Sequence, residues 1–294
     1  MPNTSRSTLL AACLAIVYVV WGSTYLAIHF VVDGIPPLIS SAIRNFCAGP
    51  MLFAFLKWRG VAWPTWRQWR NGALIGFMMM GLGNGFVCLG ETRVPSGLAS
   101  LVVAGVPLFA MLFAWALFGA RPRLLEWLGV ALGLAGMALL NFDLHASANP
   151  GAIAVLFIAA ASWACATVLQ PRLDLPKGPM SAAVQMLGGG ASLVVMSAIR
   201  GERFVAGAVP ASAWIALAYL VVFGSIVAYT AFVYVIAHSR PALATSYAYV
   251  NPVVAVGLGV LFAGERISVP ILAGMAVILA GVGLVMVGNA RRAA

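Results

Sequence analysis

Apolar residues run through this chain in ten blocks, at about 9–30, 36–56, 72–90, 96–118, 124–141, 150–170, 180–199, 211–236, 241–262 and 269–288, and most polar residues stand between them. Most blocks reach the roughly 20 residues that a helix needs to cross a hydrocarbon core of about 30 Å. They are apolar all round, whereas strands of a membrane barrel alternate lipid-facing and lumen-facing positions over about 10 residues. The pattern predicts an all-α integral membrane protein, a bundle of ten transmembrane helices. The first block outruns the apolar part of a signal peptide and ends in Trp21, Gly22, Ser23, Thr24 and Tyr25 instead of a small-residue cleavage site, so it reads as helix 1. The longest connections, about 57–71 and 200–210, leave no room for a soluble domain.

A second regularity lies over the first. Pro107, Gly119, Gly129 and Gly136 return 145 positions later as Pro252, Gly264, Gly274 and Gly281. Trp21 in helix 1 is matched by Trp163 in helix 6, at an offset of 142. Ile43 to Gly49 in helix 2 align with Val184 to Gly190 in helix 7, at an offset of 141, which pairs Arg44 with Gln185. Gly81 and Gly224 pair more weakly, and Pro95 opens helix 4 as Pro241 opens helix 9. Two units of five helices follow, residues 1–145 and 146–294. An odd number of crossings per unit turns the second upside down relative to the first, and inverted repeats commonly build secondary transporters, with the substrate where the halves meet.

Composition strengthens the membrane reading: 63% of residues are hydrophobic, 8% are charged and mean hydropathy is +1.00. Soluble domains carry roughly 25% charged residues. With the N-terminus inside, twelve lysines and arginines fall on the cytoplasmic side and four on the other, which places both termini in the cytoplasm of an inner-membrane protein. The net charge of +10 is then a topology signal and an attraction to anionic lipid headgroups. Its dispersal over short loops speaks against nucleic acid as a partner. Cys13, Cys47, Cys88 and Cys165 lie inside predicted helices without CxxC spacing, and His29, His145 and His238 form no cluster with carboxylates. No metal site, cofactor or catalytic centre is expected, and no GxxxxGK[ST] motif points to ATP.

Arg44 is the one charge well inside a block, about eight residues or roughly 12 Å along helix 2 at a rise of 1.5 Å per residue. No deep aspartate or glutamate is expected to neutralise it. Two roles stand open: an internal strut bound to backbone carbonyls and Gln185, or a fork offered to a substrate carboxylate. Pro107 and Pro252 each remove a backbone donor and are expected to kink or loosen their helices near the middle, as hinges or as cavity lining. Trp21, Trp163, Tyr229, Tyr234 and Tyr247 or Tyr249 supply aromatic faces. Tyr247 and Tyr249 point about 200° apart on a helix, so one of them, Tyr247, is taken as lining. Ser23, Asn84, Thr245 and Asn251 add polar groups, which together suit an amphipathic organic solute. Gly129, Gly133 and Gly136, with Gly274, Gly281 and Gly283, form ladders that permit close helix contact, in a scaffold seam within the chain or in a homodimer.

The stretches Trp21 to Tyr25, Pro95-Ser96-Gly97-Leu98-Ala99, Pro241 to Pro252 and the turn Gly264-Glu265-Arg266 resemble the drug/metabolite transporter superfamily, and within it the EamA-type exporters. The resemblance spans essentially the whole chain. It implies two inverted five-helix repeats around a central cavity, working by alternating access. It also implies export of amino acids and related metabolites, with YddG-like aromatic amino-acid exporters as the analogy. Ala120 stands where the second repeat has Glu265 and where repeats of the family often carry an acidic residue, so a symmetric role for that carboxylate is not expected. The alternatives are an exporter of cationic drugs, which calls for an embedded carboxylate, and a membrane scaffold without flux.

Overall fold

A computed structural model describes residues 3–122, 124–144, 149–239, 246–264 and 268–290. Among these residues the chain forms ten helical spans and no strand. They are α1 (Asn3–Val32), α2 (Pro37–Trp58), α3 (Trp66–Glu91), α4 (Ser96–Phe118), α5 (Leu124–Leu144), α6 (Pro150–Leu169), α7 (Pro179–Arg200), α8 (Ala211–His238), α9 (Tyr247–Phe262) and α10 (Val269–Ala290). Seven of them, α1–α4 and α6–α8, are long and apolar enough to cross a membrane. In lipid each backbone donor and acceptor must be met within the chain, which helix formation does span by span.

Proline and glycine set the boundaries. Pro37, Pro150 and Pro179 stand in the first turns of α2, α6 and α7, where a missing N–H costs nothing. Gly119 and Gly264, a matched pair of the sequence repeat, follow α4 and α9 in the left-handed conformation, with φ of 66° and 65°. The other matched glycines serve packing. A Cβ at Gly281 would lie 2.6 Å from the Gly129 carbonyl oxygen, and one at Gly136 would lie 2.9 Å from the Ile278 nitrogen. Gly129, Gly133, Gly136 and Gly281 thus pack in an α5–α10 seam inside the chain.

The prolines within spans behave differently from one another. α4 breaks after Val103 and restarts at Val106, so Pro107 occupies the first turn of a new helical piece. Pro252 lies inside α9, which continues through it without interruption. α3 and α8 each widen into a π-helical segment, Phe77–Asn84 and Leu220–Val227, beginning 143 positions apart. Such segments are rare and occur frequently at functional sites.

Packing follows the same pairing. α2 lies along α7 and α5 along α10, each helix against its own repeat counterpart. α1 packs on α9 as α6 packs on α4, α1 on α8 as α6 on α3, and α2 on α8 as α7 on α3. The α3–α7 contact is close enough that a Cβ at Gly76 would fall 2.1 Å from the Gln185 carbonyl oxygen. One core cluster gathers around Ile28, Val31 and Leu98, another around Val17, Met79 and Phe232. α1 runs from one into the other, and the cavity opens where they meet.

Two carboxylates near span ends are buried. Glu91 and Glu126 are 4% and 1% exposed. Both stand at or within a turn of a span end, where sequence position suggests wet surroundings, and packing of neighbouring spans covers them. On the outer rim of the bundle Glu202, in the loop after α7, accepts from the free N–H groups of Leu38 and Ile39 at 3.3 and 2.9 Å, so it closes the start of α2.

Candidate functional site

The cavity holds about 70 Å³, room for a handful of waters. It is lined by α1, α2, α3, α4, α6, α7, α8 and α9, while α5 and α10 stay outside it. Its centre is an aromatic group. Trp21 meets its repeat counterpart Trp163 edge to face with centroids 5.6 Å apart, Tyr247 at 5.2 Å and Phe232 at 4.6 Å. Tyr229 stacks over Trp21 at 6.4 Å. Aromatic pairs in this range each add about 0.5–1.5 kcal/mol beyond the area they bury. The group is therefore rigid wall.

Arg44 faces this wall from α2. Its side chain is 6% exposed, and its head is held by two neutral oxygens. Nε donates to Ser225 Oγ at 2.7 Å and Nη1 to Asn84 Oδ1 at 3.2 Å. Asn84 closes the first π segment and Ser225 lies in the second, so the two widened helices converge on one guanidinium. Asn84 Oδ1 also accepts from Ser41 Oγ at 3.1 Å. Gly224 gives the head its space: a Cβ there would lie 3.0 Å from Nη2. The Gly224 carbonyl in turn accepts from the Trp21 indole at 3.2 Å, which ties the aromatic wall to the cation. Among the described residues no carboxylate lies within salt-bridge distance of Arg44. A guanidinium has five N–H donors, and only two are used here.

Eight residues were singled out from the sequence as substrate-binding. Seven line the cavity: Trp21, Arg44, Asn84, Trp163, Tyr229, Tyr247 and Asn251. Gln185 does not. It is fully buried, its Nε2 donates to Ser181 Oγ at 2.8 Å and its Oε1 accepts from the Tyr229 hydroxyl, so it braces the wall from behind. Nor does Arg44 bind Gln185 or a backbone carbonyl, as the strut role proposed. Asn251, turned so that its amide nitrogen donates to the Tyr18 and Tyr247 carbonyls at 3.2 and 3.3 Å, joins α9 to α1 beside Pro252. Tyr234 stacks on His238 away from the cavity, and Ser23 bonds the Tyr219 hydroxyl and the Val20 carbonyl. Thr245 and the Tyr249 side chain lie outside the described residues. The hinge candidates Pro107 and Pro252 are absent from the lining, although their neighbours Val103 and Asn251 belong to it.

Sequence reasoning missed Ser225, Thr24 and Tyr25. Thr24 and Tyr25 were quoted only as part of a motif. The one available signal for Ser225 was the weak Gly81/Gly224 match, which marks the two π segments.

A cavity of this kind, walled by aromatic rings around a buried charge in a ten-span bundle, defines a membrane protein that handles a solute. The chain belongs to the EamA-like transporter family, whose model matches it twice, over residues 8–142 and 150–287. It is a multi-pass transporter of the inner membrane. It is similar to the uncharacterized inner membrane transporter YedA of Escherichia coli K12, at 44% identity over 282 residues that cover 95% of this chain and 91% of the relative. The chloroplastic WAT1-related protein At3g02690 of Arabidopsis thaliana is 29% identical over 280 residues, 90% of this chain and 66% of its own. A solved crystal structure covers 96% of this chain and 98% of its own at a TM-score of 0.68 and 21% identity, which bears on the fold alone.

Proposed function

We propose that this transporter exports amino acids, aromatic or other neutral ones, and related small metabolites by alternating access between two inverted five-helix halves, residues 1–145 and 146–294. The cavity carries the reading. Two repeat counterparts in direct contact must straddle the axis that relates the repeats, and Trp21 against Trp163, α2 against α7 and α5 against α10 all meet this condition. The substrate region then lies on the axis, where opposite tilts of the halves open it to one side or the other. At about 70 Å³ the cavity falls below the roughly 300 Å³ at which ligand pockets begin, so this form is contracted and admits substrate only when the halves move. The lysine and arginine distribution supports cytoplasmic termini. The reading is of a carrier and not an enzyme.

An exporter of cationic drugs fits less well, because the one charged side chain in the described lining is positive. The test is uptake of a panel of radiolabelled amino acids into liposomes containing the purified protein, beside Arg44→Ala and empty vesicles. Saturable uptake of aromatic or large neutral amino acids, lost in the variant, is expected. Flat traces for all amino acids with uptake of organic cations would replace this reading by the cationic one.

A further inference from the structure

The charge in the cavity carries a sharper statement about what is recognised. A cation deep in a membrane span is costly, and such residues pair with one another or with backbone carbonyls, or mark a substrate pathway. Arg44 is 6% exposed, and its described partners are one hydroxyl and one amide oxygen, neither charged. Ser225 takes Nε and Asn84 takes one hydrogen of Nη1, which leaves the other Nη1 hydrogen and both on Nη2 without a described acceptor. Those donors form the end of the fork, and Ser225, acting through Nε, fixes its plane. A second donor stands in the same wall: the Trp163 indole nitrogen is buried and has no hydrogen-bond partner among the described residues.

The lining shows the opposite bias for an ammonium group. Among the described residues no aspartate or glutamate lines the cavity; Glu91 stands one turn beyond Val87, which does. Asn251 spends its amide nitrogen on two backbone carbonyls. Among the described residues the lining offers a positive charge at one end and aromatic faces at the other, and no carboxylate to pair with an amine.

We propose that the ligand class of this cavity is aromatic and large apolar carboxylates as such: Arg44 takes the carboxylate end-on through Nη1 and Nη2, the wall of Trp21, Trp163 and Tyr229 takes the body, and the α-amino group is not a recognition element. The proposal rests on the carrier reading for its biological sense but concerns binding alone. Deaminated acids are ligands at least as good as the amino acids, and decarboxylated amines are not ligands. Ser225 is a positioning residue.

The experiment is calorimetric titration of the purified full-length protein with 3-phenylpropionate, L-phenylalanine and phenethylamine, which share one body and differ in charge. A bidentate, charge-assisted pair in a dry site corresponds to a tenfold or greater difference in affinity. Phenylpropionate is expected to bind at least as tightly as phenylalanine, and phenethylamine tenfold or more weakly. Arg44→Met is expected to remove acid binding while the protein stays folded by thermal melting and gel filtration, and Arg44→Lys to lose about tenfold because it keeps charge without the fork. Ser225→Ala is expected to weaken acid binding several-fold while the protein stays folded by gel filtration, which keeps the test decisive if Arg44→Met fails to fold. Equal binding of acid and amine, undiminished acid binding in folded Arg44→Met, or no binding of either acid would overturn the proposal. Acid binding that depends on Arg44 without flux in vesicles would overturn the carrier reading and leave this one standing; flux of amines alone would do the reverse.

Discussion

At the scale of single residues the cavity wall divides into groups that face solute and groups that hold them. Tyr229 does both, lining the cavity while its hydroxyl satisfies the buried Gln185 amide. Leaving a buried acceptor without a donor costs about 1–3 kcal/mol, whereas removing both partners together is nearly neutral. Tyr229→Phe is therefore expected to lower the melting temperature in detergent, and Tyr229→Phe with Gln185→Met to recover most of the loss. A double variant that melts below the single one would show that Gln185 has a role beyond bracing the wall. Most of these residues were legible in the sequence because polar and aromatic groups stand out in apolar blocks. Their neighbours were not. Sequence position alone leaves Glu91 at a span end, and burial there depends on which other spans cover it. The partner of Gln185 was equally hidden: the repeat aligns it with Arg44, but the two side chains bond different groups of α8, Tyr229 and Ser225.

At the scale of elements, glycines decide how near the spans approach. Gly72 and Gly76 on α3 receive α7 so closely that a methyl group at Gly76 would strike the Gln185 carbonyl. Overpacking of this kind costs about 1–3 kcal/mol, and here the obstacle is backbone, which cannot rotate away. Gly76→Ala is expected to lower thermal stability clearly, while Gly207→Ala, which meets nothing within 4 Å, is expected to leave it unchanged. Equal melting temperatures for the two variants would contradict the packing described for α3 and α7. The ten spans follow the apolar blocks because block length and hydrophobicity dictate helix in lipid. Widening of α3 and α8 into π segments carried no comparable signal, since the extra residue per turn reflects what packs against the helix more than its own composition. Pro252 shows the converse. A proline inside a block predicts a kinked or loosened helix; α9 continues through Pro252, and the Asn251 side chain ties the local backbone to α1.

At the scale of the whole molecule, the pairings of spans and the double match to one family model support two halves of common origin. The orientation read from the lysine and arginine distribution makes a topological prediction. A green fluorescent protein fused to the C-terminus is expected to fluoresce, and alkaline phosphatase inserted in the 201–210 loop to be active; the reverse pattern would invert the orientation read from the charges. The central claim is movement of aromatic amino acids by a carrier whose single cavity faces one side at a time. Trans-stimulation in proteoliposomes tests it most directly. Vesicles loaded with unlabelled L-phenylalanine are expected to take up external labelled phenylalanine faster than empty-loaded vesicles, with transient accumulation above equilibrium, because the loaded cavity returns more readily than the empty one. Uptake that rises linearly with concentration and ignores internal phenylalanine would identify a pore, and no uptake under either loading would contradict the substrate assignment.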